Sequence, residues 1–216
     1  MNKVIIFAEN FDGQFKKATF EAVSYGARIA EQMGGEAIAV SLGEVADAEL
    51  MTLGNYGASK VVAVHSDTLN TLDARAFAKV IADLVAKESA GVVVFTSSNA
   101  SKAVAPRVAV RLNAGMVFGV SGLPVSLSPF TLPKKVYHGK AFAEVVMKSG
   151  VKVISLAQNS FGVAENRIAV AIEKVEITID EDLIKTKVVN VEKSTGKVLL
   201  NRSEERRVGK ECRSRW

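Results

Sequence analysis

Up to Leu112 the chain repeats one alternation: a short run of β-branched and apolar residues, then a longer stretch whose apolar positions recur every three or four residues. Strand period followed by helix period, several times over, leaves few folds open. Adjacent parallel strands cannot be joined by tight turns, whereas a helical crossover joins them directly, so the pattern predicts a parallel sheet covered by helices. Val4, Ile5, Ile6 and Phe7 read as the first strand. Phe15, Ala18, Ala22, Tyr25, Ile29 and Met33 fall on one helix face, with Asp12 as the expected N-cap and Gly34 and Gly35 as the stop. Residues 36–42 read as a second strand, 47–53 as a short helix ending near Gly54, and 60–65 as a third strand.

Thr71 or Asp73 can cap the next helix, which turns Phe77, Val80, Ile81, Leu84 and Val85 inward and runs to about Lys87. Residues 91–95 form the most apolar strand, expected at the centre of the sheet and covered on both faces. The segment 96–101 leads into a helix through Arg111. Pro106 lacks the backbone donor that a helix interior needs, so this helix is expected to begin near Pro106 or to kink there. From Gly115 onward strands and turns take over. Residues 139–147 and 151–156 read as a hairpin joined through Lys148, Ser149 and Gly150, and residues 169–179 and 187–191 add extended segments around Asp180, Glu181 and Asp182. The predicted class is a three-layer α/β fold, a Rossmann-like parallel sheet flanked by helices, with a β-rich extension in the last third.

A pI near 9.3 and a net charge of +5 invite a nucleic-acid reading. The charge is unevenly placed. Residues 201–216 hold six Lys and Arg against three Glu, together with Cys212 and Trp216, the chain's one cysteine and one tryptophan. Residues 1–200 are therefore near neutral and free of cysteine, which excludes from them a disulfide, a Cys-ligated zinc or iron–sulfur site and a cysteine nucleophile. Lys134, Lys135, Lys140, Lys148 and Lys152 surround one predicted turn, a solvated rim or protein-docking edge in a near-neutral body, and no nucleic-acid partner is expected. No apolar stretch reads as a signal peptide or a membrane span, so no membrane insertion is expected and the cytoplasm is the expected compartment.

Neither G-x-G-x-x-G nor G-x-x-x-x-G-K-[ST] occurs. The segment 96–101 could still hold an anion at a strand end through Ser97, Ser98 and Asn99, with capping as the alternative role for these residues. His65 and His138 lack neighbouring ligands, so no metal site is expected. Glu9, closing the first strand, could act as a base or cap a neighbouring helix. No G-x-S-x-G elbow is present.

Four motifs in order resemble the N-terminal domain of the electron transfer flavoprotein alpha subunit: Val4 to Glu9, Leu53-Gly54-Asn55-Tyr56-Gly57-Ala58-Ser59-Lys60-Val61, Ala103 to Leu112, and Tyr137-His138-Gly139-Lys140-Ala141. The similarity runs from about residue 3 to residue 200. His138 stands where that family usually has Gly or Ser. The resemblance implies a heterodimeric electron carrier in which FAD takes electrons from acyl-CoA dehydrogenases of fatty acid β-oxidation and related enzymes and passes them to a quinone reductase or another acceptor. It implies a subunit that is no catalyst by itself, with FAD held mainly by a second alpha domain beyond residue 200. The portion in hand is then expected to bind no FAD and to pack against the beta subunit, with Arg107, Tyr137 and Lys140 as interface candidates. Residues 201–216 resemble vector-derived read-through and are expected to stand outside the fold, leaving 1–200 as one domain. An autonomous adenine-nucleotide-binding module is the alternative reading.

Overall fold

In a computed structural model of the chain, residues 2–177, 184 and 188–190 are described. Residues 1–186 form one compact unit and 187–216 fall in another. The extended segment expected at 187–191, the acidic residues 180–182 and the tail 201–216 lie largely or wholly outside the described residues.

Four apolar runs become parallel strands: β1 (Val4–Phe7), β4 (Ala37–Leu42), β5 (Lys60–His65) and β6 (Val92–Phe95). Between β1 and β4 lie a two-stranded ribbon, β2 (Asn10–Phe11) with β3 (Gln14–Phe15), and helix α1 (Lys17–Gln32). Helix α2 (Asp47–Thr52) leads into β5, α3 (Ala74–Glu88) into β6, and α4 (Asn99–Arg111) into β7 (Gly115–Val120). Then follow β8 (Ser126–Leu127), β9 (Phe130–Val136), β10 (Ala141–Met147), β11 (Lys152–Leu156) and β12 (Ala171–Glu176). The main sheet runs β10-β9-β7-β11-β6-β1-β4-β5-β12, with β8 beside β9. Its ladders are parallel from β7 across to β12 and antiparallel among β7, β8, β9 and β10.

Side chains alternate along the buried strands and sort the core into two layers. Val4, Ile6, Val92, Val94 and Ile154 meet Ala22, Tyr25 and Ile29 of α1 on one face. Ile5, Phe7, Val93, Phe95 and Val153 meet Phe77, Ile81, Val104 and Val108 of α3 and α4 on the other. The predicted three-layer class and the central place of residues 91–95 both hold, and the β-rich extension adds strands at both sheet edges.

Three expectations change. Asp12 does not cap α1: it turns the β2–β3 ribbon at φ 51°, and α1 begins after Lys16 with no side-chain cap. Instead Lys16 C=O accepts from Thr19 and Phe20 N–H. Helix α4 does not wait for Pro106. It starts at Asn99, capped by Ser98, whose Oγ accepts from Ser101 N–H, and carries Pro106 in its interior. The early start gains a cap and buries Ser101, Val104 and Ala105, which outweighs one lost helical bond. Finally, β10 and β11 are not a hairpin. β10 folds back on β9 in register from Ala141↔Val136 to Met147↔Phe130, while β11 inserts between β6 and β7. Val153 to Leu156 are all buried, a continuous apolar run that needs cover on both faces and so belongs inside a parallel sheet. Strand β10, alternately exposed, suits an edge.

Candidate functional site

Open α/β sheets bind ligands where neighbouring strands send their crossovers in opposite directions. Here that point lies between β1, which leads toward β4, and β6, which leads toward β11 and β7. Glu9 follows β1 and Thr96 follows β6. The Thr96 hydroxyl donates to Glu9 Oε2 at 3.0 Å and lies 2.9 Å from Ser101 Oγ in the first turn of α4. Ser155 Oγ donates to Thr96 C=O at 3.0 Å, and Thr19 Oγ1 donates to Glu9 C=O at 2.7 Å. The crevice thus carries its own carboxylate, coupled through two hydroxyls to the positive end of α4. An incoming phosphate would meet that negative charge at short range.

Of the anion-loop residues, Ser98 is spent as the α4 cap, and Ser97 and Asn99 flank it. At this switch point, capping is therefore the role the structure shows for Ser98, the alternative that the sequence left open for it. His65 ends β5 with its Nε2 buried and without a hydrogen-bond partner among the described residues, and His138 sits in the Tyr137–Gly139 turn, so the two histidines are on separate elements. Among the described residues no group of three or more His, Cys, Asp or Glu is arranged to hold a metal.

The second feature is the antiparallel meander β8–β9–β10. Strand β10 is one edge of the sheet and, among the described residues, pairs with β9 alone. Its inward side chains Val145 and Met147 reach the core, opposite Leu132 and Phe130. The other face carries Phe142, 74% exposed, and Val146, 46% exposed, across from Lys135 and Thr131. Tyr137, 78% exposed, stands on the turn into β10, and Val125 and Leu127 add exposed apolar surface beside β9. This turn holds Tyr137, His138 and Gly139 in succession at φ 50°, 56° and 85°, closed by Lys140 N–H donating to Tyr137 C=O at 3.2 Å. Tyr137 and Lys140 therefore come together at one end of the exposed edge. Arg107 does not join them: it lies on α4, in a groove with Arg75, Pro106, Val110 and Arg111.

The Leu53–Val61 motif has a structural role. Between β11 and β12 the chain crosses α1 to reach the opposite sheet edge, and it is seated on this motif: Asn166 N–H donates to Asn55 C=O and Ile168 N–H to Gly54 C=O. A Cβ on Gly54 would come within 2.9 Å of Ile168 O, and Gly57 stands at φ 97°. Glu21, buried under the crossing, accepts from the backbone N–H groups of Asn159, Phe161 and Gly162. Nothing local in the sequence around Glu21 signals this role, because its three partners lie far along the chain.

Comparison with known proteins matches residues 4–180 to the family described as "Electron transfer flavoprotein domain". The chain is 26% identical over 206 residues to the electron transfer flavoprotein subunit alpha of Bacillus subtilis (strain 168), covering 92% of this chain and 63% of the relative. It is 29% identical over 202 residues to the corresponding subunit of Clostridium acetobutylicum, covering 88% and 59%. A segment of 125 residues is 28% identical to the acryloyl-CoA reductase electron transfer subunit beta of Anaerotignum propionicum, covering 58% and 34%. The chain spans 63% and 59% of the lengths of the two alpha subunits.

Proposed function

Since this chain belongs to the electron transfer flavoprotein family, we propose that it is the scaffold domain of an alpha-type subunit, packing against a beta-type subunit in a heterodimeric electron carrier. Residues 1–200 form that domain and 201–216 are foreign to it. FAD is carried by the assembled heterodimer outside the residues described here, takes electrons from acyl-CoA dehydrogenase-type donors and passes them to a quinone reductase or another acceptor. The chain works in the cytoplasm and contributes architecture, not catalysis. No helix among the described residues is long and apolar enough to cross a membrane.

The observation that carries this reading is the meander: at one end of the sheet, edge strand β10 turns Phe142 and Val146 to solvent, whereas β1, β4 and β6 are buried along their whole length. Exposed apolar strand edges are ordinarily blunted or covered. Self-pairing is a poor cover. An antiparallel pair of β10 strands centred on Glu144 would set Glu144 against Glu144 and Lys140 against Lys148. A different chain, with its own charge pattern, removes both conflicts.

The test is titration of the full chain with the electron transfer flavoprotein beta subunit from the same source, followed by sedimentation. A one-to-one complex is expected, and Phe142→Asp with Val146→Asp should weaken it at least tenfold, since each buried side chain contributes about 1.5–3 kcal/mol. Undiminished affinity in the double variant would remove the meander from the interface.

A further inference from the structure

The outer surface of the α3–α4 layer holds a second, separate feature. Pro106 and Val110 stand one turn apart on α4 and floor an open groove of about 560 Å³, with Arg107 and Arg111 beside them and Arg75 reaching in from the first turn of α3. Val110 is 78% exposed although α4 buries Val104, Ala105, Val108 and Ala109 beneath it. None of the three arginines takes part in an ion pair among the described residues; Arg107 donates only to Ala103 C=O on its own helix. Among the described residues the groove has no acidic lining residue. Other cations among the described residues do find acidic partners: Lys3, Lys60, Lys79, Lys87, Lys174, Arg28 and Arg167 each meet a carboxylate.

Three unmatched guanidinium forks around an apolar floor have a definite complement. Carboxylates accept the paired N–H groups of arginine in a planar, bidentate fashion, and a neighbouring aliphatic side chain would cover Val110 and Pro106. Phosphates would use the arginines but gain nothing from the floor, and nucleic-acid binding calls for a longer cationic track than three residues supply. We infer that the Arg75–Arg107–Arg111 groove is a docking surface for an acidic segment of another protein, one that presents an aliphatic side chain between carboxylates. It is independent of the meander, because it lies on a different layer and uses different residues.

The test uses the full chain with isotope-labelled Val and Arg, titrated with a blocked, leucine-centred peptide rich in glutamate. Saturable shifts of the Val110 methyls and of the Arg75, Arg107 and Arg111 Nε–H signals are expected. The affinity should fall at least tenfold between about 50 and about 500 mM salt, as screening shortens the Debye length. It should fall by a similar factor in Arg107→Glu with Arg111→Glu, while Arg107→Lys with Arg111→Lys keeps part of it. The glutamine counterpart of the peptide should not bind. No saturable shift at Val110, equal binding of the glutamine peptide, or unchanged affinity in the glutamate variant would each overturn the inference. Stronger saturation by inorganic phosphate or a single-stranded oligonucleotide than by the peptide would overturn it as well.

Discussion

His138 occupies a left-handed backbone conformation, φ 56° and ψ 34°, between two residues that also have positive φ. For a residue with a Cβ this region costs about 1 kcal/mol, a cost glycine avoids. The His138 side chain itself is exposed. Replacing His138 with Gly should stabilise the domain by about 0.5–1 kcal/mol in denaturant unfolding; a destabilised variant would mean that the side chain holds the turn. Individual residues were unevenly legible. Asp73 was readable as a cap from its position before an apolar period, and it accepts from Arg75 and Ala76 N–H. Asp12 has the residue type of a cap, but together with Gly13 it forms a ribbon turn at positive φ before the helix starts. Tyr25 gives a helix-face signal, but its hydrogen bond to Gly122 C=O, and the burial that pushes its hydroxyl pKa up, depend on packing 97 residues away.

Elements are held in place by charge as well as by core. Glu88, at the end of α3, meets Lys3 before β1 at 2.7 Å and Lys60 on β5 at 2.8 Å; Lys60 and Lys87 both reach Glu173 on edge strand β12. Hydrogen bonds from Lys3 and Lys60 hold the Glu88 carboxyl down at about 2, and bonds to Glu173 and Glu88 raise Lys60. A carboxyl whose folded value is depressed adds stability above its unfolded value of 4.5 and loses it as pH falls toward 2. Glu88→Gln should therefore cost about 1–2 kcal/mol near neutrality, the lysines being partly exposed, and the gap from the parent should narrow between pH 4.5 and 2. A pH-independent gap in urea titrations would assign the loss to packing. Element type was legible wherever period was strong, in β1, α1, β4, β5, α3 and β6. Pairing was not: β10 and β11 are neighbours in sequence, yet cover on both faces puts β11 in the middle of the sheet and leaves β10 at the rim.

At the scale of the molecule, the sheet has two places of interest, one at its middle and one at its flank. Its switch point, where this architecture often holds a ligand, is bridged by hydrogen bonds among Glu9, Thr96 and Ser101, and its antiparallel flank exposes Phe142 and Val146 among the described residues. The layered class was readable from alternation alone. The crevice was only partly so: segment 96–101 was recognised as a strand-end loop, but the meeting of Glu9 with Thr96 needs β1 and β6 side by side, a pairing of residues 87 apart that no local pattern encodes. The flank is less legible still: Tyr137 stands out only through the resemblance, and Phe142 and Val146 read as ordinary strand residues until β10 is known to be an edge. The central claim, that this flank is the partner-packing surface of an electron transfer flavoprotein subunit, is tested most directly by amide hydrogen exchange on the complex of the full chain with its beta-type partner. Slowed exchange concentrated in residues 137–147, with the switch-point segment 96–101 unchanged, is the predicted result. Protection confined to other elements, with 137–147 exchanging as in the free chain, would contradict it.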